Sequence, residues 1–228
     1  MPGPWPNGLS KLECTRGAYA YLVRGGAGGR ADGEGDGPDA AASSDAVLID
    51  TGLPGRAAAV LAELARLGVT RLGDIVVSHG DVDHVGNAAE LAERTGARLW
   101  LPRGDRPYVM DGRPRPGIKR LVGAVVRVRV PAAALDLSGG ERVGPLVAID
   151  SPGHTPGHLA FAGPGFLAVG DALTLSRGRV LPSRGLMAWD AAKAAASATR
   201  LLAGYRGWVL PSHQEPAWYD AAAAGAGP

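Results

Sequence analysis

The chain has 228 residues, of which 46% are hydrophobic and 20% are charged, so it is long enough to bury a substantial core as one domain spanning residues 1–228. Its 24 basic residues almost balance its 22 acidic ones, which argues against a nucleic-acid partner. No apolar run approaches the length of a membrane-spanning helix, and the amino terminus MPGPWPNG lacks the basic and apolar regions of a signal peptide. We therefore expect a cytoplasmic protein with neither a nucleic-acid nor a membrane partner.

The amino-terminal part alternates predicted strands with a helix. Apolar runs at residues 18–23 and 46–50 predict two strands. The insert between them, at about residues 25–45, is rich in glycine and acidic residues and cannot build a core, so we expect a flexible surface loop. Apolar residues then recur with helical spacing over residues 56–67, and Gly68 is expected to end that helix.

The next stretch continues this alternation. Residues 74–78 (DIVVS) form a short apolar run that is typical of a strand buried on both faces. Residues 87–95 predict a helix closed by Gly96, and residues 97–102 predict another strand. Residues 102–120 are rich in proline, glycine and arginine and show no periodicity, so we expect an irregular segment there.

The middle of the chain is predicted to be mostly sheet, followed by a helix and a last strand. The alternating valines and arginines of VVRVRV are typical of a half-exposed strand, and three further apolar runs follow at hairpin-like spacing. An alanine-rich helix is expected at residues 191–202. The predicted strands lie at residues 125–130, 145–150, 159–163, 166–170 and 207–213. Two sheets packed together and covered by helices would accommodate this order of elements.

Seven histidine and aspartate side chains follow predicted strands and are candidate metal ligands. Four of them occupy one turn, HGDVDH, where two imidazoles and two carboxylates would repel one another or lose their solvation without a cation. The other three each follow an apolar run, and ligands at strand ends converge on one edge of a sheet. The seven candidates are His79, Asp81, Asp83, His84, His154, Asp171 and His213.

Together these residues resemble the metallo-β-lactamase-fold superfamily, whose hydrolases carry an HxHxDH turn, two later histidines and a metal-bridging aspartate in the same order. The resemblance extends to LIDTGLPG, which contains Asp50, and to PGHTPGH around His154, and it spans residues 18–213. It implies an α+β fold, a four-layer αββα sandwich with metals at one edge of the two sheets.

The resemblance also implies two divalent metal ions and a role for each candidate. His79, Asp81 and His154 would hold the first ion, and Asp83, His84 and His213 would hold the second. Asp171 would bridge the two ions. Asp50 matches a family position that supports the site without contacting metal, and His158, which has no ligand counterpart, is expected to play a similar part.

Asp81 is the point at which this sequence departs from the family, because most members have the second histidine of HxHxDH there. A carboxylate makes the first site harder, so iron and manganese become alternatives to the zinc that is otherwise expected. A further alternative is that Asp81 weakens the first site until only one metal stays bound.

The function that the resemblance implies is hydrolysis of a small-molecule ester, thioester or lactone by a metal-bound hydroxide, with Asp83 and Asp171 as catalytic residues that orient it. One alternative is a non-haem diiron oxidoreductase, since flavodiiron proteins of this fold carry an acidic residue at the position of Asp81. A non-catalytic metal-binding module is the other. Candidates for substrate contact lie in the aperiodic stretches 103–120 and 174–189: Tyr108, Lys119, Arg177, Arg184, Met187 and Trp189.

Overall fold

Two six-stranded sheets form the centre of the protein. The computed structural model describes residues 1–25, 46–110, 133–176, 179–183 and 188–224. The first sheet has the strand order β1-β2-β3-β4-β5-β6. Its strands are β1 (Leu9–Leu12), β2 (Ala20–Val23), β3 (Ala46–Ile49), β4 (Leu72–Val76), β5 (Arg98–Pro102) and β6 (Leu135–Leu137). Strands β3 to β6 run parallel, so their carboxyl ends meet at one edge.

The second sheet is mainly antiparallel and has the order β14-β13-β10-β9-β8-β7. Its strands are β7 (Arg142–Val143), β8 (Leu146–Asp150), β9 (Leu159–Gly163), β10 (Phe166–Gly170), β13 (Arg206–Pro211) and β14 (Ala217–Asp220). Strands β10 and β13 are parallel neighbours, so these two also end at the same edge. A separate hairpin pairs β11 (Leu173–Ser176) with β12 (Arg179–Pro182).

Helices cover the outer face of each sheet. Two of them have caps that the sequence supplies. Gly96 takes a left-handed conformation after the third helix, and the Asp190 side chain accepts a hydrogen bond from the Lys193 N–H at the start of the fifth. The helices are α1 (Ala57–Arg66), α2 (Val82–Val85), α3 (Ala88–Thr95), α4 (Arg106–Val109), α5 (Ala191–Leu202) and α6 (Ala221–Ala224).

Three hydrophobic cores separate four layers. The side chains of strand β3 point alternately into two of these cores. Ala46 and Leu48 pack towards α1 and α3, whereas Val47 and Ile49 pack towards the second sheet. The middle core lies between the sheets and includes Phe161. The third core packs α5 against the outer face of the second sheet. The predicted four-layer αββα sandwich of mixed helix and sheet is therefore confirmed.

The sequence missed the short elements. Strands β1, β6, β7, β11, β12 and β14 were not expected. The expectation of an irregular segment at 102–120 is wrong at residues 106–109, which form α4 beginning just before Pro107, a residue that a first helical turn accepts. Helix α2 was also missed, because its single turn lies inside the HGDVDH motif.

Several expectations concern parts of the chain outside the described residues. These are the strand at 125–130, the loop at about 25–45 beyond Gly25, and the residues 111–120 of the aperiodic stretch. Across the part of the chain that the structure describes, no helix combines the length and the apolar character that crossing a membrane requires.

The two sheets are joined by a hydrogen bond from a buried phenol. The Tyr21 hydroxyl, on β2, donates to the Pro211 carbonyl oxygen at the end of β13 over 2.7 Å. Replacing Tyr21 by phenylalanine removes this hydrogen bond from the interior. We expect Tyr21→Phe to lower the free energy of unfolding by about 1–3 kcal/mol, measured by urea denaturation.

Tyr219→Phe is the matched control, because within the described part of the chain the Tyr219 hydroxyl has no hydrogen-bond partner. We expect this control to change the free energy of unfolding by less than about 0.5 kcal/mol. Equal effects of the two variants would contradict a specific role for the Tyr21 bond.

Candidate metal centre

All seven candidate ligands lie at one edge of the two sheets. The turn after β4 and the short helix α2 carry four of them on the side of the first sheet. The second sheet supplies the other three: one in the loop between β8 and β9, one directly after β10 and one two residues after β13. The two sheets therefore contribute to the same cluster, and each contributes from strand ends.

A first group consists of His79, Asp81 and His154, whose ligand atoms all lie within 4.8 Å of one another. The Asp81 Oδ2 atom is 3.1 Å from the His154 Nε2 atom and 3.5 Å from the His79 Nε2 atom. The Oδ2 atom of Asp171 faces the same group, at 3.4 Å from His154 Nε2 and 4.0 Å from His79 Nε2.

A second group consists of Asp83, His84 and His213, again with ligand atoms within 4.8 Å. The Asp83 carboxylate is 3.4 Å from His213 Nε2 and 3.9 Å from His84 Nε2. Here the other oxygen of Asp171, Oδ1, is the neighbour, at 3.3 Å from His213 Nε2 and 3.6 Å from His84 Nε2. Asp171 thus turns one oxygen to each group, as a bridging carboxylate would.

The donor set of the cluster fits metal ions. Three buried atoms that point into it have no hydrogen-bond partner among the described residues: His79 Nε2, His84 Nε2 and Asp171 Oδ1. Buried polar atoms of this kind are costly unless something binds them. Imidazole nitrogens and carboxylate oxygens suit zinc, iron and manganese. Whether the seven residues act as ligands stays a prediction.

The charges of the cluster shift the pKa values of its members. Burial, reinforced by the neighbouring His84, lowers the pKa of His79 well below its usual range. Burial also disfavours a charge on His84, but the carboxylates of Asp50 and Asp171 outweigh it and raise its pKa to about 10. Burial would raise the pKa of Asp171, yet the adjacent histidines, His84 above all, lower it well below normal. The adjacent Asp171 carboxylate raises the pKa of His213.

Asp50 and Ser78 hold the two central histidines from behind. Asp50 is buried and takes a positive φ of 59°, and its carboxylate accepts hydrogen bonds from the Ser78 backbone N–H and hydroxyl, at 2.7 and 2.8 Å. The same carboxylate lies 2.9 Å from His84 Nδ1, and the Ser78 hydroxyl lies 3.0 Å from His79 Nδ1. With Nδ1 engaged in this way, the Nε2 atom of each ring is directed at the cluster.

His158 supports Asp171, which agrees with the expectation that it lies outside the ligand set. Its Nε2 atom accepts a hydrogen bond from the Asp171 backbone N–H over 3.1 Å, and its Nδ1 atom is 2.8 Å from the Ser151 hydroxyl. On the other side of the first group, the Ser183 hydroxyl lies 3.0 Å from His154 Nδ1.

Three residues that support the candidate ligands were not predicted from the sequence: Ser78, Asp105 and Ser183. Asp105 accepts hydrogen bonds from two backbone N–H groups of the ligand-bearing loops. It follows β5, the parallel neighbour of β4, so the rule that strand ends converge could have identified it. Single serines in turns gave no comparable signal.

Two of the six predicted substrate contacts lie against each other. The rings of Tyr108 and Trp189 meet edge to face with centroids 4.9 Å apart, and both residues are half-buried. Trp189 precedes Asp190, whose N–H donates to the Gly153 carbonyl oxygen beside His154. The aromatic pair therefore lies next to the loop that carries a first-group residue. The remaining four, Lys119, Arg177, Arg184 and Met187, lie outside the described residues.

Comparison with known proteins gives a consistent set of relatives. The model of the metallo-beta-lactamase superfamily matches residues 41–213. A hydroxyacylglutathione hydrolase of Hyphomonas neptunium is 30% identical over 188 residues, covering 81% of this chain and 59% of that protein. A second, of Methylobacillus flagellatus, is 34% identical over 128 residues, covering 56% of this chain and 43% of that protein. The chain thus spans only about half the length of these two relatives.

The solved structures give the same fold. The crystal structure of TTHA1623 in a di-iron-bound form is 26% identical in sequence, with a TM-score of 0.68, and the match covers 96% of each chain.

Metal loading tests whether the cluster binds cations. We expect chelator-treated protein to take up two zinc ions per chain, because the three unpartnered atoms and the facing carboxylates then gain a positive partner. At metal concentrations about 1,000 times the dissociation constant of each site, the melting temperature should rise by roughly 20 °C. Elemental analysis after gel filtration, together with thermal unfolding, measures both effects.

Magnesium is the matched control, since it prefers all-oxygen coordination and should stabilise far less. A melting temperature that does not respond to zinc, iron(II) or manganese would contradict a metal centre here.

Proposed function

Because the chain belongs to the metallo-beta-lactamase superfamily, we propose that it is a metal-dependent hydrolase of small molecules with an activated carbonyl group. The observation that carries the proposal is the orientation of Asp171, which presents Oδ2 to the first group and Oδ1 to the second. This arrangement is suited to a pair of ions held side by side. His79, Asp81 and His154 would hold one ion, and Asp83, His84 and His213 the other.

The reaction would divide between the ions and the protein. Two divalent ions, when bound, make a water molecule acidic and polarise a carbonyl oxygen. Asp83 is the more exposed of the two central carboxylates, with 25% of its side chain accessible against 12% for Asp171, so its carboxylate can accept the proton of an attacking water. As the new C–O bond forms and the bond to the leaving group breaks, Asp83 returns that proton to the departing sulfur or oxygen.

A thioester is the substrate class that we favour. The two curated relatives are hydroxyacylglutathione hydrolases by name, and acyl-glutathione is a thioester. Oxygen esters and lactones offer the same electrophilic carbonyl and belong in the same screen. The edge-to-face pair of Tyr108 and Trp189 would supply an apolar surface for the acyl part of the substrate, beside the His154 loop.

Loss of the central carboxylate tests the proposal. We expect Asp171→Ala to reduce kcat for the best thioester by at least about 100-fold, because the variant lacks the carboxylate whose two oxygens face the two groups. The circular dichroism spectrum should remain that of the folded protein. Asp220→Ala is the control, since Asp220 pairs with Arg206 on β13, away from the cluster, and should keep full activity. Full activity in Asp171→Ala would rule out the two-ion assignment.

The identity of the metal is a separate proposal. We propose zinc as the native ion, with iron or manganese in competition because Asp81 adds a hard oxygen donor to the first group. Replacing Asp81 by histidine would give the first group three nitrogen donors, with His79 and His154. We expect Asp81→His to raise the ratio of bound zinc to bound manganese by about tenfold, measured by elemental analysis after loading with equal amounts of both. An unchanged ratio would show that Asp81 does not select the metal.

A non-haem diiron oxidoreductase is the second candidate. The observations that favour it are the carboxylate of Asp81 and the di-iron-bound form of the similar protein TTHA1623. Protein purified without added metal distinguishes the two candidates. Two irons per chain with a visible absorption band, together with no hydrolysis of thioesters, lactones or esters, would favour redox chemistry over the hydrolase.

A further inference from the structure

Asp105 is a buried carboxylate that lies behind the metal-binding cluster and takes no part in the reaction described above. It is 2% exposed and follows β5, at the start of α4. Its Oδ2 atom accepts a hydrogen bond from the Gly80 N–H over 2.8 Å, and its Oδ1 atom accepts one from the Gly157 N–H over 2.7 Å. One side chain thus connects two loops that belong to different sheets.

Both loops carry residues of the first group. Gly80 lies between His79 and Asp81, and Gly157 is in the loop of His154. The backbone that presents all three first-group side chains is therefore attached to the same carboxylate. The spacing of those loops, and with it the distance between His154 and the other two, depends on Asp105.

The second group depends on a different carboxylate. Asp50 lies 2.9 Å from His84 Nδ1 and accepts the hydrogen bonds of Ser78. The remaining second-group residues, Asp83 and His213, show no contact with Asp105 in the described part of the chain. Asp50 also reaches the first group through the Ser78 hydroxyl, which lies 3.0 Å from His79 Nδ1, whereas Asp105 accepts its hydrogen bonds from Gly80 and Gly157, beside first-group residues alone.

Close backbone contact makes the connection through Asp105 rigid. A Cβ atom added to Gly104 would lie 2.7 Å from the Gly157 Cα atom, and one added to Gly157 would collide with the Asp105 backbone nitrogen. The turn at 104–105 and the loop at 154–157 therefore touch without intervening side chains, and neither can shift unless the other moves.

Burying the Asp105 carboxylate between the two loops costs solvation free energy. Burial raises the pKa of Asp105, and the nearby Asp81 carboxylate adds to the rise, whereas the hydrogen bonds from Gly80 and Gly157 oppose it. Two charge-assisted hydrogen bonds to separate backbone N–H groups are also stronger and more directional than neutral ones. A buried carboxylate at residue 105 therefore fixes the distance between the two loops more precisely than neutral hydrogen bonds would.

We propose that Asp105 is a positioning residue for the first metal ion alone, setting the affinity of the first group while the second group remains independent of it. The proposal rests on the two-ion arrangement of the proposed function. A residue that merely stabilised the fold would weaken both groups together or neither.

The test uses cobalt(II) as the probe, titrated into chelator-treated protein and followed by visible absorption and calorimetry. Two background variants isolate the groups: His213→Ala leaves the first group intact, and Asp81→Ala leaves the second. We expect Asp105→Asn to weaken cobalt binding about 10- to 100-fold in the His213→Ala background. In the Asp81→Ala background it should change the dissociation constant by less than about twofold.

Asp74→Asn is the matched control. Asp74 is also a buried carboxylate of the first sheet, but it accepts hydrogen bonds from Arg98 and Trp100. We expect this variant to lower the melting temperature and to leave cobalt binding unchanged in both backgrounds. If Asp105→Asn does not fold, Asp105→Ser, which keeps a small polar side chain in the same space, takes its place.

The outcomes separate the two proposals. Equal weakening in both backgrounds, weakening of the second group alone, or no weakening would overturn the role of Asp105. Wild-type protein that binds a single cobalt ion would contradict the two-ion arrangement. In that case, if Asp81→Ala abolishes binding of the single ion and Asp105→Asn weakens it, Asp105 remains the positioning residue for that ion. An ion that survives Asp81→Ala overturns the Asp105 proposal too.

Discussion

Face-to-face packing of the two sheets is the constraint on which the candidate metal centre depends. The first sheet brings four of the seven side chains and the second sheet brings three, so neither sheet can assemble either group by itself. The middle core, with Phe161 and Ile49 among its buried members, fixes the distance between the sheets. Because close-packed interiors resist small displacements, this core also fixes the separation of ligand atoms at the sheet edge.

Two buried carboxylates divide the support of that edge. Asp50 holds His84 from within the first sheet, and Asp105 connects the loops of both sheets. Asp50 directly follows β3, and Asp105 follows β5 by three residues. Both carboxylates accept hydrogen bonds from backbone N–H groups of neighbouring loops, and they thereby position the imidazoles and the loops. The residues behind the candidate ligands thus hold them through side-chain contacts and through hydrogen bonds to backbone N–H groups.

The sequence predicted the layered fold and the convergence of the seven side chains, but not Ser78, Asp105 and Ser183, which support them. Apolar runs such as those of β4 and β10 are recognised as strands from the sequence. Strand β1 has the sequence LSKL and β7 has only two residues, so neither shows a pattern that predicts a strand. The seven candidate residues were predicted because four lie in one motif and the rest follow strands in a fixed order. Asp105 was missed because its partners are 25 and 52 residues away and its own surroundings, RGDRP, look like any turn. Such contacts are properties of the folded backbone.

The division of the candidate ligands between two sheets also bears on the rate of unfolding. A single cysteine, Cys14, leaves the chain without any internal disulfide, and ions held jointly by residues from 79 to 213 would cross-link segments far apart in sequence. Separation of the sheets at this edge then requires the coordination bonds to break first, so the barrier to unfolding includes the release of metal. Resistance to heat and to proteases would in that case be governed by the rate at which the ions dissociate. When the metal is scarce, the first consequence would be faster degradation of the whole protein and not an accumulation of folded, inactive chains.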